Sequence, residues 1–200
     1  MILTTTEQLK SLDFSKSGGI LPVVTQHART GEVLMLAFAT HEALEHTLAF
    51  GEMWYWSRSR GQLWKKGATS GNTQKLLSLH ADCDSDSILA RVLPSGPSCH
   101  TNAYSCFDAP PVIAALARVI ASRASEQPES SYTARLLSDR NLRLKKLGEE
   151  ATELALACAD GDAARAAEEA ADLIYHTLVA CSAVGVDADG VIAALEARLP

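Results

Sequence analysis

The stretch Asp82-Cys83-Asp84-Ser85-Asp86 alternates three carboxylates with one thiol and one hydroxyl. If it is extended, successive side chains point to opposite faces, so the aspartates face one way and Cys83 the other. Oxygen ligands suit magnesium and sulfur ligands suit zinc. We therefore expect two metal sites on opposite sides of one strand end, with magnesium held by Asp82, Asp84 and Asp86. The alternative for the aspartates is a solvated acidic turn.

Two more cysteines, Cys99 and Cys106, follow this stretch, and His100 is adjacent to the first. Together with Cys83 they can bind zinc through three thiolates and leave its fourth position to water, as in catalytic zinc sites. His100 is then the candidate proton shuttle, because an imidazole titrates near neutral pH. The alternative is a structural zinc site with His100 as the fourth ligand, and the spacing does not separate the two.

The composition is that of a globular protein with 47% hydrophobic residues and a net charge of −6. The negative charge argues against a broad nucleic-acid footprint. No apolar run approaches the roughly 18–20 residues of a spanning helix, and no signal peptide is evident, so we expect no membrane association. Five cysteines, three of them grouped with aspartates and a histidine, indicate metal chemistry in a reducing compartment, and we expect a cytoplasmic protein.

The first half of the chain reads as a small α+β domain that is rich in strands. Thr40 is the predicted N-cap of a helix that runs to about Phe50 and ends at Gly51. Alternating and apolar runs bounded by turn residues predict the strands. They cover residues 20–26, 33–38, 53–57, 63–66, 75–80 and 88–93.

The second half reads as an all-α bundle. Apolar positions recur at helical spacing over residues 112–125, 132–159, 163–184 and 188–199, and the second of these segments is interrupted near Asp139. Prolines in residues 108–111 mark the change of character. We therefore expect two domains, residues 1–110 and 111–200.

A loop rich in glycine, hydroxyl and basic residues precedes the aspartates, and its composition suits a phosphate cradle. Such loops are usually ordinary turns, so composition alone leaves both interpretations open. The candidate substrate-binding residues are Trp64, Lys66, Gly67, Thr69, Ser70, Gly71 and Asn72.

The first half of the chain resembles the phosphoribosyl-AMP cyclohydrolase family, and the resemblance covers about residues 10–107. The motifs that carry the resemblance are 63–67, 69–72, 82–86, 96–100 and 105–107. The resemblance implies hydrolytic opening of the adenine ring between N1 and C6 during histidine biosynthesis. It also implies that the three cysteines bind zinc across a dimer interface and that the three aspartates bind magnesium. Many relatives have Glu in place of Ala68 and Gly in place of Asn102.

Two pairs of carboxylates occupy neighbouring predicted helices in the second half. Glu150 and Glu153 are three residues apart, as are Glu169 and Asp172, so each pair shares a helix face. If the helices pack antiparallel, the four carboxylates converge and need a cation among them, which indicates magnesium. The alternative is a solvated charged face, which is the commoner role of a single such pair.

These helices resemble the phosphoribosyl-ATP pyrophosphohydrolase family, an all-α family of the MazG-like group. The motifs lie at residues 128–134, 145–150 and 169–176, with Glu153, and the resemblance covers about 112–199. It implies that the four carboxylates hold magnesium and activate water, with Glu150 and Glu153 as catalytic residues. Lys145, Lys146 and Arg143 are candidates for phosphate contact. His176 is either catalytic or a structural helix histidine.

Together the two resemblances predict a bifunctional enzyme with nucleotide substrates, which we expect to be a homodimer. The helical half would convert phosphoribosyl-ATP to phosphoribosyl-AMP and pyrophosphate, and the strand-rich half would then open the adenine ring of that product. The alternative is a general NTP pyrophosphatase fused to a zinc-stabilised nucleotide-binding or RNA-binding module.

Overall fold

The computed structural model describes residues 1–199 of the chain. Contacts between Cα atoms divide the chain into two compact units that meet in sequence between Pro111 and Val112. The first unit is a sheet with one α-helix, and the described part of the second contains α-helices and no strand. The predicted fold class, strand-rich α+β followed by all-α, is confirmed. The likeness to MazG-type bundles stays a prediction.

The strands of the first unit are β1 (Ile2–Leu3), β2 (Leu21–His27), β3 (Val33–Ala39), β4 (Trp54–Ser57), β5 (Gln62–Lys65), β6 (Gln74–Ala81) and β7 (Ile88–Pro94). They form one sheet in the order β1-β6-β7-β2-β3-β4-β5. Neighbours are antiparallel except β2 and β7, which are parallel. Six of these strands match the predicted segments, whereas β1 is too short to show a period in sequence.

The first unit has one α-helix, α1 (His41–Phe50), which packs against β3 and β4. Its predicted caps are confirmed, since the Thr40 side chain accepts from the Ala43 amide at 3.2 Å and Gly51 ends the helix with a φ of 66°. Two short 3₁₀ helices, Thr6–Ser11 and Phe14–Ser17, precede β2 and were not predicted.

The second unit contains five helices within its described residues. They are α2 (Val112–Glu126), α3 (Tyr132–Ser138), α4 (Arg140–Asp160), α5 (Ala163–Ser182) and α6 (Ala188–Glu196). Asp139 ends α3 and caps α4, accepting from the Leu142 amide at 3.0 Å, so the predicted interruption is confirmed. Because α4 and α5 are joined by two residues and pack along each other, they form a helical hairpin. No helix among residues 1–199 is both long and apolar enough to cross a membrane.

Candidate functional sites

Residues 82–87 form the loop of the hairpin between β6 and β7. Ala81 and Ile88 are the last paired residues of the two strands, so the chain reverses direction between them. The expectation of an extended stretch is wrong, because the loop consists of bends and Ser85 has a φ of 61°. The predicted alternation of faces therefore does not apply to these residues.

The aspartates of this loop nevertheless come together. One oxygen each from Asp82, Asp84 and Asp86 lies within 4.8 Å of the others, a grouping that could hold a metal ion. Asp82 organises the loop, since its carboxylate accepts from the amides of Asp86 at 3.0 Å and Ser87 at 3.2 Å and from the Ser87 hydroxyl. These hydrogen bonds, led by that of the Ser87 hydroxyl, lower the pKa of Asp82.

Lys16 lies against this carboxylate group, which the sequence did not predict. Its Nζ is 2.7 Å from Asp84 Oδ2 and 3.1 Å from Asp86 Oδ2, and these two carboxylates raise the pKa of the lysine. The backbone also connects the two segments, because the Asp13 amide donates to the Ser85 carbonyl at 2.8 Å. The contact joins segments far apart in sequence, so no local pattern indicates it. The Lys16 ammonium balances part of the negative charge of this carboxylate group.

The three candidate zinc ligands are only partly brought together within one chain. The thiols of Cys99 and Cys106 are near enough to influence each other, and burial together with the Cys99 thiol raises the pKa of Cys106. The Thr101 hydroxyl, 3.1 Å from Cys99 Sγ, lowers the pKa of that thiol and so favours the thiolate that binds metals. Cys83 is exposed and forms no three-ligand group with the other two within residues 1–199.

A cavity of about 760 Å³ opens beside Cys99, between the loop that follows β5 and the segment that carries Cys99 and His100. His100 is exposed, with Nδ1 3.8 Å from Cys99 Sγ. Ala68 and Asn102 also line the cavity, whereas Gly71 is not part of its wall. The candidate substrate-binding residues in the wall are Trp64, Lys66, Gly67, Thr69, Ser70 and Asn72.

Two residues of this cavity wall, Lys66 and Gly67, have surroundings that restrict which side chain can occupy their positions. Lys66 is buried, which lowers the pKa of its ammonium, and the thiols of Cys106 and Cys99 oppose that shift. Gly67 has a φ of 82°, and a Cβ there would lie 2.5 Å from the carbonyl carbon of Asn72. The loop therefore closes on itself only with glycine at position 67.

The helical hairpin holds a second carboxylate group. Oxygens of Glu150 on α4 and of Glu169 and Asp172 on α5 lie within 4.8 Å of one another and could hold a metal ion. Glu150 is buried, and its Oε1 is 2.8 Å from Lys146 Nζ. Glu153 is partly buried on α4 and lies outside this group. Three of the four predicted ligands are therefore adjacent.

The basic residues of α4 have different surroundings. Lys146 contacts Glu150 and, at 3.1 Å, Glu149, and these carboxylates raise its pKa. Lys145 is 3.2 Å from Glu149. Arg143 is buried and donates to two carbonyl oxygens at the end of α3, at 2.8 Å each. Arg143 Nη1 thus holds α3 against α4, and the contact of Arg143 with phosphate stays a prediction.

His176 is buried one turn beyond Asp172. Its Nε2 is 3.7 Å from Glu150 Oε1, and its ring meets those of Tyr132 and Tyr175 edge-on. Its Nδ1 is buried and has no hydrogen-bond partner among residues 1–199. Burial lowers the pKa of this imidazole and favours the neutral form. The residue thus belongs to the surroundings of the carboxylate group.

Comparison with known proteins assigns the two units. Residues 35–108 match the phosphoribosyl-AMP cyclohydrolase family and residues 113–199 match the phosphoribosyl-ATP pyrophosphohydrolase family.

Curated relatives span both units. The chain is 49% identical to a histidine biosynthesis bifunctional protein HisIE of Deinococcus radiodurans, over 95% of this chain and 93% of the relative. It is 44% identical to the protein of that name from Shewanella oneidensis, over 97% and 94%, and 41% identical to that of Escherichia coli, over 98% and 99%. The chain therefore belongs to the family of bifunctional histidine-biosynthesis hydrolases, in which a phosphoribosyl-AMP cyclohydrolase is followed by a phosphoribosyl-ATP pyrophosphohydrolase.

Proposed function

We propose that the chain performs its two hydrolytic reactions at the two sites described above, with the product of the helical unit as substrate of the first unit. The observation that carries this proposal is that each unit brings a carboxylate group together, and that the first unit also has a cavity whose wall includes Cys99 and His100. Both substrates are phosphoribosyl nucleotides, and the net charge of −6 argues against nucleic acid as a further partner.

The cavity is the proposed site of ring opening. Trp64 offers a stacking face for the purine of the substrate, and Lys66, Gly67, Thr69, Ser70 and Asn72 are the proposed contacts of its phosphate groups. His100, whose Nδ1 is 3.8 Å from Cys99 Sγ, is the proposed group that takes a proton from the attacking water and returns it to the opening ring. We propose that Asp82, Asp84 and Asp86 hold magnesium, in the place where the Lys16 ammonium now balances their charge.

The thiols fit zinc, because Cys99 and Cys106 are adjacent and the environment of Cys99 favours its thiolate. When bound, zinc supplies a Lewis acid that makes water nucleophilic at neutral pH. A catalytic zinc has three protein ligands, and one chain brings only two thiols together. We therefore propose that Cys83, which is exposed, completes the set from a second copy, so that the active enzyme is a homodimer.

The helical unit supports the same oligomeric state. Leu144 and Leu156 on α4 and Ile174 on α5 are each about half exposed, at 48%, 53% and 47%. Large apolar side chains left open along a helical hairpin suit burial against a second copy. All five cysteines, which lie in the described residues, are unpaired, and we propose a reducing, cytoplasmic location.

The carboxylate group of the helical hairpin is the proposed site of pyrophosphate release. Glu150, Glu153, Glu169 and Asp172 would hold magnesium, which when bound neutralises charge on the triphosphate. Glu150 and Glu153 are the proposed groups that orient and deprotonate the attacking water. Lys145 and Lys146, now paired with Glu149 and Glu150, would exchange these partners for phosphate oxygens.

Incubation of the purified chain with phosphoribosyl-ATP tests the proposal, with pyrophosphate and the ring-opened product followed separately. Both should form, and a chelator should stop both. A parallel incubation with dATP separates a dedicated pyrophosphohydrolase from a general one, since only the general enzyme turns over dATP at a comparable rate. Turnover of dATP without ring opening of phosphoribosyl-AMP would contradict the proposal.

A further inference from the structure

A row of polar side chains crosses the core of the first unit and is not used by the chemistry above. Thr25 on β2, Tyr55 on β4 and Gln74 on β6 are fully buried, and Ser98 is 5% exposed. Burying polar groups is unfavourable unless each has a partner, and apolar side chains would fill the same space without that requirement. The row therefore needs an explanation beyond packing.

The hydrogen bonds of the row run in one direction. Tyr55 donates to Gln74 Oε1 at 2.8 Å, so its hydroxyl accepts from Thr25, 2.8 Å away. Gln74 Nε2 donates to Ser98 Oγ at 3.1 Å and to the Met35 thioether at 3.6 Å. Because a thioether only accepts, it favours the orientation in which Gln74 Nε2 faces Ser98, and the Tyr55 hydroxyl that donates to Oε1 holds the amide in that orientation. Both hydrogens of that amide are thereby committed.

Ser98 ends the row at the wall of the cavity. Its oxygen accepts from Gln74, and among residues 1–199 its own hydrogen is the one donor of the row without an acceptor. The segment is held in place, since the Ser98 amide donates to the Tyr104 carbonyl at 3.0 Å and the Cys99 amide to the Ala103 carbonyl at 3.1 Å. The free hydrogen is therefore available to a ligand beside Cys99.

We propose that Ser98 is a substrate-binding residue of the ring-opening site, and that Thr25, Tyr55 and Gln74 are positioning residues that direct its hydroxyl hydrogen to an acceptor nitrogen of the purine. This inference rests on the proposed placement of the nucleotide in the cavity. Burial raises the pKa of Tyr55, which keeps its hydroxyl protonated and the direction of the row constant over the working pH range.

The first test compares Ser98→Ala with Ser98→Thr, with phosphoribosyl-AMP supplied directly. Ser98→Ala should raise KM about three- to tenfold, the loss expected for one neutral hydrogen bond, while zinc per chain stays at its wild-type value. The thermal midpoint should fall, because buried Gln74 Nε2 loses the acceptor that Ser98 Oγ provides, so KM is measured well below that midpoint. Ser98→Thr keeps a hydroxyl and should stay within about twofold of the wild type. A KM for Ser98→Ala within twofold of the wild-type value would overturn the proposal, and so would a loss explained by missing zinc.

The second test asks whether the row directs Ser98. Tyr55→Phe deprives Gln74 Oε1 of its donor, so the amide can turn over and accept the Ser98 hydrogen itself. Tyr55→Phe should therefore raise KM in the wild-type background and have little further effect in Ser98→Ala, a non-additive result. Additive effects of the two substitutions on KM would show that Tyr55 does not act through Ser98.

Tyr175→Phe is the matched control, because it removes a hydroxyl that also makes a 2.8 Å hydrogen bond, to Thr133, but in the helical unit. It should leave ring opening unchanged. If Tyr55→Phe does not fold, the two Ser98 variants alone decide the contact with substrate. A wild-type chain that fails to open phosphoribosyl-AMP would instead contradict the proposed function, which separates the two failures.

Discussion

The two carboxylate groups of this chain are assembled in different ways. In the hairpin loop, Asp82 accepts from two amides and a hydroxyl, and Lys16 reaches in from a distant segment. In the helical unit, regular helices bring Glu150, Glu169 and Asp172 together, and the balancing ammonium of Lys146 lies one turn away on the same helix. The first group depends on local loop geometry and the second on helix packing.

The groups also differ in exposure. Asp82 and Asp84 are exposed and Asp86 is partly buried, whereas Glu150 is only 4% exposed. Water screens the charges of the loop, but a buried carboxylate depends on its partners. The difference indicates that the hairpin group tolerates the loss of its lysine better than the helical group does. The predictions below test whether the groups are independent in function and unequal in stability.

The largest expected effect follows from removing one thiol, which should abolish ring opening and leave pyrophosphate release intact. Cys106→Ala should reduce ring opening to background and lower bound zinc, because two ligands do not hold a catalytic zinc. Pyrophosphate release from phosphoribosyl-ATP should continue at the wild-type rate. Rates of both steps and zinc per chain are the measurements, with Cys158→Ala, an exposed cysteine on α4, as the control. Ring opening by a zinc-free Cys106→Ala protein would contradict the assignment.

A substitution in the helical hairpin should have the opposite result, slowing pyrophosphate release and leaving ring opening unchanged. Glu150→Gln should slow pyrophosphate release by about 10²–10⁴-fold, the range expected for loss of a general base. Ring opening of phosphoribosyl-AMP supplied directly should not change. Glu149→Gln is a close control, because Glu149 contacts the same lysine but lies outside the carboxylate group. Equal losses in both variants, or loss of both activities, would indicate a folding defect instead of a catalytic role.

The sequence predicted the helical group well because helix geometry is regular. Spacing of three residues places Glu169 and Asp172 on one face of α5, and the structure brings both near Glu150. Spacing does not set the rotation of α4 about its axis, which depends on packing against α5. For this reason the sequence could not show that Glu150 and not Glu153 would lie closest to the α5 carboxylates.

The hairpin group was predicted by its residue types and by a family resemblance, but not by its geometry. The strands on either side were located from their apolar patterns, whereas the bend at Ser85 and the contact with Lys16 depend on tertiary structure. The relation of Cys83 to the other thiols has the same limit, since nearness in sequence does not fix where a loop side chain points. Both features require knowledge of how the segments pack.

Removing each lysine measures the difference in stability directly. Without divalent cations, Lys146→Met should lower the free energy of unfolding of the helical unit by about 1–2 kcal/mol, because buried Glu150 loses a charge-assisted hydrogen bond. Lys16→Met should have a smaller effect on the first unit, and Lys145→Met, which affects only Glu149, is the matched control.

Two probes distinguish the units in that experiment. All three tryptophans lie in the first unit, so their fluorescence reports its unfolding, and far-ultraviolet circular dichroism is dominated by the helical unit. Equal destabilisation by Lys16→Met and Lys146→Met would contradict the inference that the buried carboxylate group depends on its lysine more than the exposed group does.

The smallest expected effect is on how the stability of the first unit depends on pH. The pKa of Asp82 is lowered in the folded chain, mainly by the Ser87 hydroxyl, so its ionised form favours folding above the unfolded-state pKa near 3.8. This contribution disappears as the pH falls through the lowered folded-state pKa. Ser87→Ala should therefore destabilise the first unit by a few tenths of a kcal/mol at pH 6, since the site is exposed, and by less as the pH approaches 2. Urea unfolding followed by tryptophan fluorescence at several pH values measures the effect. Ser59→Ala, in the hairpin turn between β4 and β5, is the control. If the loss of stability caused by Ser87→Ala does not change with pH, ionisation of Asp82 is not its cause.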